Sequence, residues 1–252
     1  MSDLHVEFGD HLDAKDARTP AEDTVIALAG DIHTQERGFD WARARWPHNR
    51  VLYVLGNHEF YGSEYYAVRQ RSAAAAQRTG IDLLDPGEVV IGAVRFIGCT
   101  LWTDFRLNGD QAASMEEANT SMTDYRLIEI ESDVGRRKLF ASDTKQVHAR
   151  ERAWLEARLA EPFTGKTVVI THHAPLSDAS PPRYRGDALH PAFCSGLEAL
   201  VAPPVALWIS GHTHRTATRQ FPNGALWASN QAGYPQESFT RRSFNPCAEI
   251  SV

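Results

Sequence analysis

The chain has 252 residues, with 26 Lys and Arg against 32 Asp and Glu, for a formal net charge of −6. That length suits one large α/β domain with a substantial core, and the acidic balance gives no support for nucleic-acid binding driven by bulk charge. Three scattered cysteines, Cys99, Cys194 and Cys247, are too few for a disulfide framework, and no apolar run approaches the ~20 residues of a membrane span, so a cytoplasmic protein without a membrane partner is expected.

The chain opens on Ser2-Asp3-Leu4-His5. The apolar run 24–29 reads as a buried strand that ends in Gly30-Asp31, with His33 just beyond. A helix is expected over 36–46. A second strand, 51–55, ends in Gly56-Asn57-His58-Glu59, and a helix follows over 63–79. The stretch 87–102 reads as a hairpin turning at Gly92. Segment 103–142, with a helix over 110–122, is the best place for an inserted helical cap. Helix 143–160 has Asp143 as its expected cap and Val147, Trp154, Leu155 and Leu159 as its apolar stripe. Strand 167–171 ends in His172-His173. The irregular run 176–194, with Pro181-Pro182-Arg183-Tyr184-Arg185-Gly186, is a candidate lid or substrate loop. A short helix is expected over 195–201. Strand 205–209 then leads into Gly211-His212-Thr213-His214, and 216–221, 225–229 and 247–252 read as extended.

Seven of the eleven histidines lie in five short turns of this kind. In a largely parallel α/β sheet the carboxyl ends of the strands share one edge, where ligands bind. Each turn alone has a plain structural reading. Asp3 and His5 could belong to a frayed terminus, Asp31 could be a helix cap, Asn57 could occupy a left-handed turn, and His172-His173 could be core histidines. Together, Asp3, His5, Asp31, Asn57, one of His172 and His173, His212 and His214 supply oxygen and nitrogen donors suited to Mn²⁺, Fe²⁺ or Fe³⁺, or Zn²⁺. Seven side chains are too many for one tetrahedral ion and fit two divalent ions sharing a carboxylate.

The ordered set Asp-x-His, Gly-Asp, Gly-Asn-His-Glu, His and Gly-His-x-His, spanning residues 3 to 214, resembles the signature of the calcineurin-like metallophosphoesterase superfamily. The resemblance implies a four-layer α/β/β/α sandwich of two mixed sheets flanked by helices, over 1–252 as a single domain. It implies that Asp3, His5, Asp31 and His214 hold one metal, and that Asp31, Asn57, His172 and His212 hold the other. It further implies phosphodiester or phosphomonoester hydrolysis by a metal-bridging hydroxide, with Asp31 as the bridge and His58 as the acid. His58 then needs a carboxylate or carbonyl partner; Glu59 and Asp31 are near it in sequence. The implied partner is a small phosphorylated substrate. Asn57, His173, Arg126, Tyr184 and Arg185 are the substrate-side candidates, since a guanidinium fork suits phosphate oxygens. A catalytically silent binding scaffold is the alternative, and a hydrolase for a non-phosphate ester is a third reading. His33 departs from the commonest family contexts, and His11, His48, His148 and His190 read as surface residues. The resemblance also implies a core strand immediately before Asp3, where only Met1 and Ser2 stand, so a start upstream of Met1 is expected.

Overall fold

The computed structural model describes residues 1–10, 12 and 20–252; His11 lies outside the described residues. In chain order, β1 (Val25–Ala29), α1 (Arg37–Arg45), β2 (Arg50–Val54), α2 (Tyr65–Thr79) and β3 (Asp82–Leu83) come first. The hairpin follows, as β4 (Gly87–Ile91) and β5 (Val94–Cys99). Segment 103–142 holds α3 (Gln111–Ser121), α4 (Asp124–Leu127) and a ribbon of β6 (Glu129–Ile130) and β7 (Arg137–Lys138). Then come α5 (Ala141–Ala160), β8 (Lys166–Thr171), β9 (Val205–Ile209), β10 (Ala217–Gln220), β11 (Leu226–Ser229) and α6 (Ser238–Ser243).

Strands β1, β2 and β3 make one parallel sheet, and a six-stranded sheet runs in the order β10-β11-β9-β8-β5-β4. The period-2 alternation of each strand sorts its side chains into layers. Ile26 and Leu28 face outward with Val51 and Tyr53, against Phe39 of α1 and Val68 of α2. Ala29, Leu52 and Val54 face inward, against Phe96, Val168, Ile170, Leu207 and Ala228 of the larger sheet. The far side of the larger sheet, with Ile97, Val169 and Trp208, packs on Leu155 of α5. Both sheets are covered by apolar contacts on two faces, which is why their strands read as near-continuous apolar runs. The result is the expected helix–sheet–sheet–helix stacking. The six-stranded sheet is mixed, as the antiparallel β4–β5 and β10–β11 pairs show. The three-stranded sheet is parallel throughout, a departure from the two mixed sheets implied above.

Four local expectations are corrected. The helix expected over 195–201 is one 3₁₀ turn, Glu198–Leu200, because Gly196 and the Pro203-Pro204 pair leave too few residues for a cooperative helix. Residues 247–252 line the lower opening between the sheets without entering a ladder. The N-cap of α5 is Phe140, and Asp143 sits at its third position, accepting from the Phe140 backbone N–H at 2.9 Å and pairing with Arg137 at 2.7 Å. His148 and His190 are also buried, at 2% and 6% exposure. His148 donates from Nδ1 to the Leu101 carbonyl at 2.8 Å, and Glu151 accepts from the Leu101 N–H at 2.6 Å. Leu101 and Trp102 have left-handed φ angles of 72° and 41°. Backbone bent this way cannot continue a ladder, so α5 supplies buried polar partners for it.

Candidate metal centre

Five of the seven ligand candidates have left-handed backbone: Asp3, His5, Asp31, His212 and His214, with φ from 48° to 69°. Non-glycine residues avoid this region unless the surroundings over-determine it, and such strain gathers at functional sites. The surroundings are visible here. Asp31 follows β1, Asn57 and His58 follow β2, His172 follows β8, and His212 and His214 follow β9. Asp3 and His5 join them because the first residues are tied on both sides. Asp3 N–H donates to the Gly30 carbonyl at 3.0 Å, and Gly233 N–H donates to the Asp3 carbonyl at 3.0 Å. Both side chains are fully buried, so the frayed-terminus reading fails. Gly30 and Gly56 permit the approach of the turns. A Cβ on Gly30 would collide with the His172 ring, and one on Gly56 with the Asp31 carboxylate.

Glu59 is the brace beneath the first two turns. Its buried carboxyl accepts from Asp31 N–H (3.0 Å), Ile32 N–H (2.9 Å), Gly56 N–H (2.7 Å) and the Tyr53 hydroxyl (2.8 Å). Glu59→Ala orphans four buried donors, and at roughly 1–3 kcal/mol for each unmet group the expected loss is about 3 kcal/mol or more. Urea unfolding of the variant beside wild type measures it, and a loss within error of zero would show that the brace is dispensable.

The turns bring together three overlapping groups: Asp3, His5 and His214; Asp31, His172 and His212; and His5, Asp31 and His58. His5 Nε2 lies 3.2 Å from His214 Nε2, and His214 Nε2 lies 3.5 Å from Asp3 Oδ1. His172 Nε2 lies 2.9 Å from Asn57 Oδ1 and 3.4 Å from Asp31 Oδ1. Asp31 Oδ2 lies 4.0 Å from His5 Nε2, so Asp31 touches both sets.

The Nδ1 atoms of three of these rings are held from behind: His5 by Glu7 at 3.3 Å, His172 by the Ala29 carbonyl at 2.9 Å, and His214 by Glu237 at 2.5 Å. Such partners fix the tautomer that aims Nε2 inward, as in metal-ligating histidines. His212 Nε2 is buried with no hydrogen-bond partner among the described residues. Burial pushes His5 and His172 down to about 4 and His212 well below the usual histidine value, leaving them as lone-pair donors. His214 is the exception; burial lowers it, but Asp3 and Glu237 outweigh that and raise it to about 9. Burial, Glu59 and Asp3 together push Asp31 well above the carboxylate range. Asp31, crowded by Glu59 and Asp3 and facing the neutral rings of His5 and His172, lacks a counter-charge, and bound divalent cations would supply it. The donor set therefore fits a metal pair.

A profile of the calcineurin-like phosphoesterase family matches residues 1–216. The chain belongs to this family. It is 28% identical to an uncharacterized protein of Acanthamoeba polyphaga mimivirus, over 100% of this chain and 95% of that relative. The solved phosphopantetheinyl hydrolase of Mycobacterium tuberculosis superposes with a TM-score of 0.76 at 20% identity, over 98% of this chain and 92% of that one. A dimetal phosphatase from Danio rerio superposes with a TM-score of 0.50 at 17% identity, over 82% and 72% of the two chains.

In this calcineurin-like phosphoesterase His58 has both ring nitrogens engaged. Nδ1 lies 2.8 Å from Glu7 Oε1 and Nε2 lies 2.8 Å from the Tyr234 hydroxyl. Its carboxylate partner is thus Glu7, not Glu59 or Asp31. Burial raises the Glu7 carboxyl, but hydrogen bonds from His5 and His58 prevail and hold it down at about 2. Nothing in the local pattern around His58 points to Glu7; its place two residues after His5 was the one available hint. Tyr234 and Glu237 carry no motif at all.

The substrate-side candidates are dispersed. Asn57 is in the cluster. His173 is buried behind it, with ring centroids 4.0 Å from His212 and 5.0 Å from Trp102. Arg126 donates to the Thr123 hydroxyl at 3.1 Å and Arg185 to the Asp178 carbonyl at 3.2 Å, while the Tyr184 ring lies under Arg183. None of these last three contacts involves a cluster residue. His33 Nδ1 accepts from its neighbour Thr34 N–H at 2.7 Å.

Proposed function

We propose that this protein is a two-metal phosphoesterase that hydrolyses a phosphodiester or phosphomonoester of a small molecule, in a reducing, cytoplasmic setting. The observation that carries this is Asp31, one carboxylate shared by two sets of donors, with His58 beside it. Asp3, His5, Asp31 and His214 would hold one ion, Mn²⁺, iron or Zn²⁺, and Asp31, Asn57, His172 and His212 the other. Bound there, the pair would supply Lewis-acid charge neutralisation and activation of water. The remaining work belongs to the chain. The Glu7 carboxylate at His58 Nδ1 favours a positively charged ring, and in that charged ring Nε2 would have a proton to pass to the leaving oxygen, returning the ring to its neutral Nδ1–H form. The Tyr234 hydroxyl marks the position Nε2 addresses. The fold shared with a phosphopantetheinyl hydrolase and a dimetal phosphatase supports a phosphoester as the first substrate to test.

The test compares bis-p-nitrophenyl phosphate, p-nitrophenyl phosphate and p-nitrophenyl acetate, each with Mn²⁺ and after chelation. Turnover of a phosphoester is expected with Mn²⁺ and should vanish on metal removal. Activity that survives complete removal refutes the reading, hydrolysis confined to the acetate favours a non-phosphate esterase, and turnover in no arm supports a silent scaffold.

A further inference from the structure

His58 is also a wall of a second space. A cavity of about 580 Å³ opens beside it, and among its other walls are Glu7, Phe8, Tyr61, Leu127 and Tyr234. These come from four separate parts of the chain: the N-terminal turn, the turn after β2, the end of α4, and the segment before α6. No Lys or Arg is among the described lining residues. The one carboxylate there, Glu7, is committed to His5 and His58. At the mouth, Phe8 is 57% exposed and Leu127 is 42% exposed. Behind them, Tyr61 packs on the His58 ring at 4.2 Å and Tyr234 stacks on His5 at 4.4 Å.

A phosphoryl group held by the donor cluster would direct its leaving oxygen at His58 Nε2, and the leaving alcohol would extend into this space. A leaving group that carried further phosphates would meet Glu7 there and no counter-cation; anion sites instead use Arg and Lys forks or backbone nests. An uncharged alcohol with an aromatic or branched apolar body would cover Phe8 and Leu127 and gain their burial. Resting on the phosphoesterase reading above, we infer that this cavity is the leaving-group pocket and that it selects phosphoesters of uncharged apolar or aromatic alcohols. It disfavours polyphosphates and nucleotides as leaving groups.

Three non-hydrolysable probes separate the terms: methylphosphonate, benzylphosphonate and 4-carboxybenzylphosphonate, titrated calorimetrically into the Mn²⁺-loaded protein. Benzylphosphonate should bind at least about tenfold tighter than methylphosphonate, the usual scale for an apolar group filling an apolar pocket. The added carboxylate should cancel most of that gain. Phe8→Ala and Leu127→Ala should shrink the benzyl advantage, and Leu127→Lys should restore binding of the carboxybenzyl probe. These side chains are exposed, so the variants should fold, and Phe239→Ala, at 78% exposure on α6, is the control that should change nothing. Equal binding of the methyl and benzyl probes would overturn the pocket, and so would a benzyl advantage untouched by both Ala variants. Carboxybenzyl binding as tight as benzyl would overturn the selection against charge. Bis-p-nitrophenyl phosphate and p-nitrophenyl phosphate both left intact by the same metal-loaded protein would instead count against the phosphoesterase reading, whatever the probes do.

Discussion

Replacing His58 with Ala is expected to lower phosphoester turnover by about 10²–10⁴-fold, the usual range for removing a positioned general acid, while the full metal content is retained. Two readings of His58 compete. It stands within reach of His5 and Asp31, with Nε2 3.9 Å from Asp31 Oδ2, which is compatible with a ligand. Against that, Glu7 and Tyr234 occupy both ring nitrogens, so no lone pair is left facing the cluster. Metal analysis of the purified variant decides between them. Loss of an ion along with activity would make His58 a ligand. Retained metal with reduced turnover supports the acid. Unchanged turnover removes it from the mechanism. Glu7→Gln should produce a smaller loss in the same direction, because the amide can accept from Nδ1 without stabilising a charged ring.

Asp31→Asn should be still more damaging to activity, and it should leave an opposite mark on the metal-free protein. Asp31 lies against His5 through Oδ2 and against His172 and the His58 N–H through Oδ1. A neutral amide removes the charge that both ions would share. With several kcal/mol at stake, turnover should fall by about 10³-fold or more, and metal content should fall too. Without metal, the same carboxylate is a burden, since burial, Glu59 and Asp3 raise its pKa well above the usual value. The folded protein then holds a proton that the unfolded chain releases, so stability drains away as pH rises above the unfolded-state pKa near 3.8. Asn has no such proton to lose. Metal-free Asp31→Asn should therefore melt above metal-free wild type at neutral pH, with a gap that widens from pH 4 upward, and metal addition should raise wild type more than the variant. A variant that melts lower than wild type in the metal-free state would show that Asp31 is not held against its own charge.

Much of this centre was legible in the chain because its logic is local. A ligand at a strand end needs an apolar strand, a turn that accepts left-handed φ, and a small residue where the next turn approaches. Gly30-Asp31 and Gly211-His212-Thr213-His214 carry all three within a few residues, while Gly56-Asn57-His58 carries the strand and the small residue but turns through right-handed backbone at Asn57. The layer order followed likewise from apolar runs alternating with helices. The helix expected over 195–201 failed where composition alone was a poor guide beside Gly196 and Pro203.

The partners of the centre were decided by tertiary structure alone. Glu7 meets His58 across 51 residues and Tyr234 meets it across 176, so no spacing or periodicity records either contact. His148 and Glu151 look like polar members of a surface helix until the unpaired backbone at Leu101 is placed beneath them. Side chains whose task is to serve a metal or a turn are constrained in identity by that task, and the constraint is written next to them in the chain. Side chains that support or surround the site need only reach it, which any surface of suitable shape and charge can do, and that depends on where the whole fold brings them.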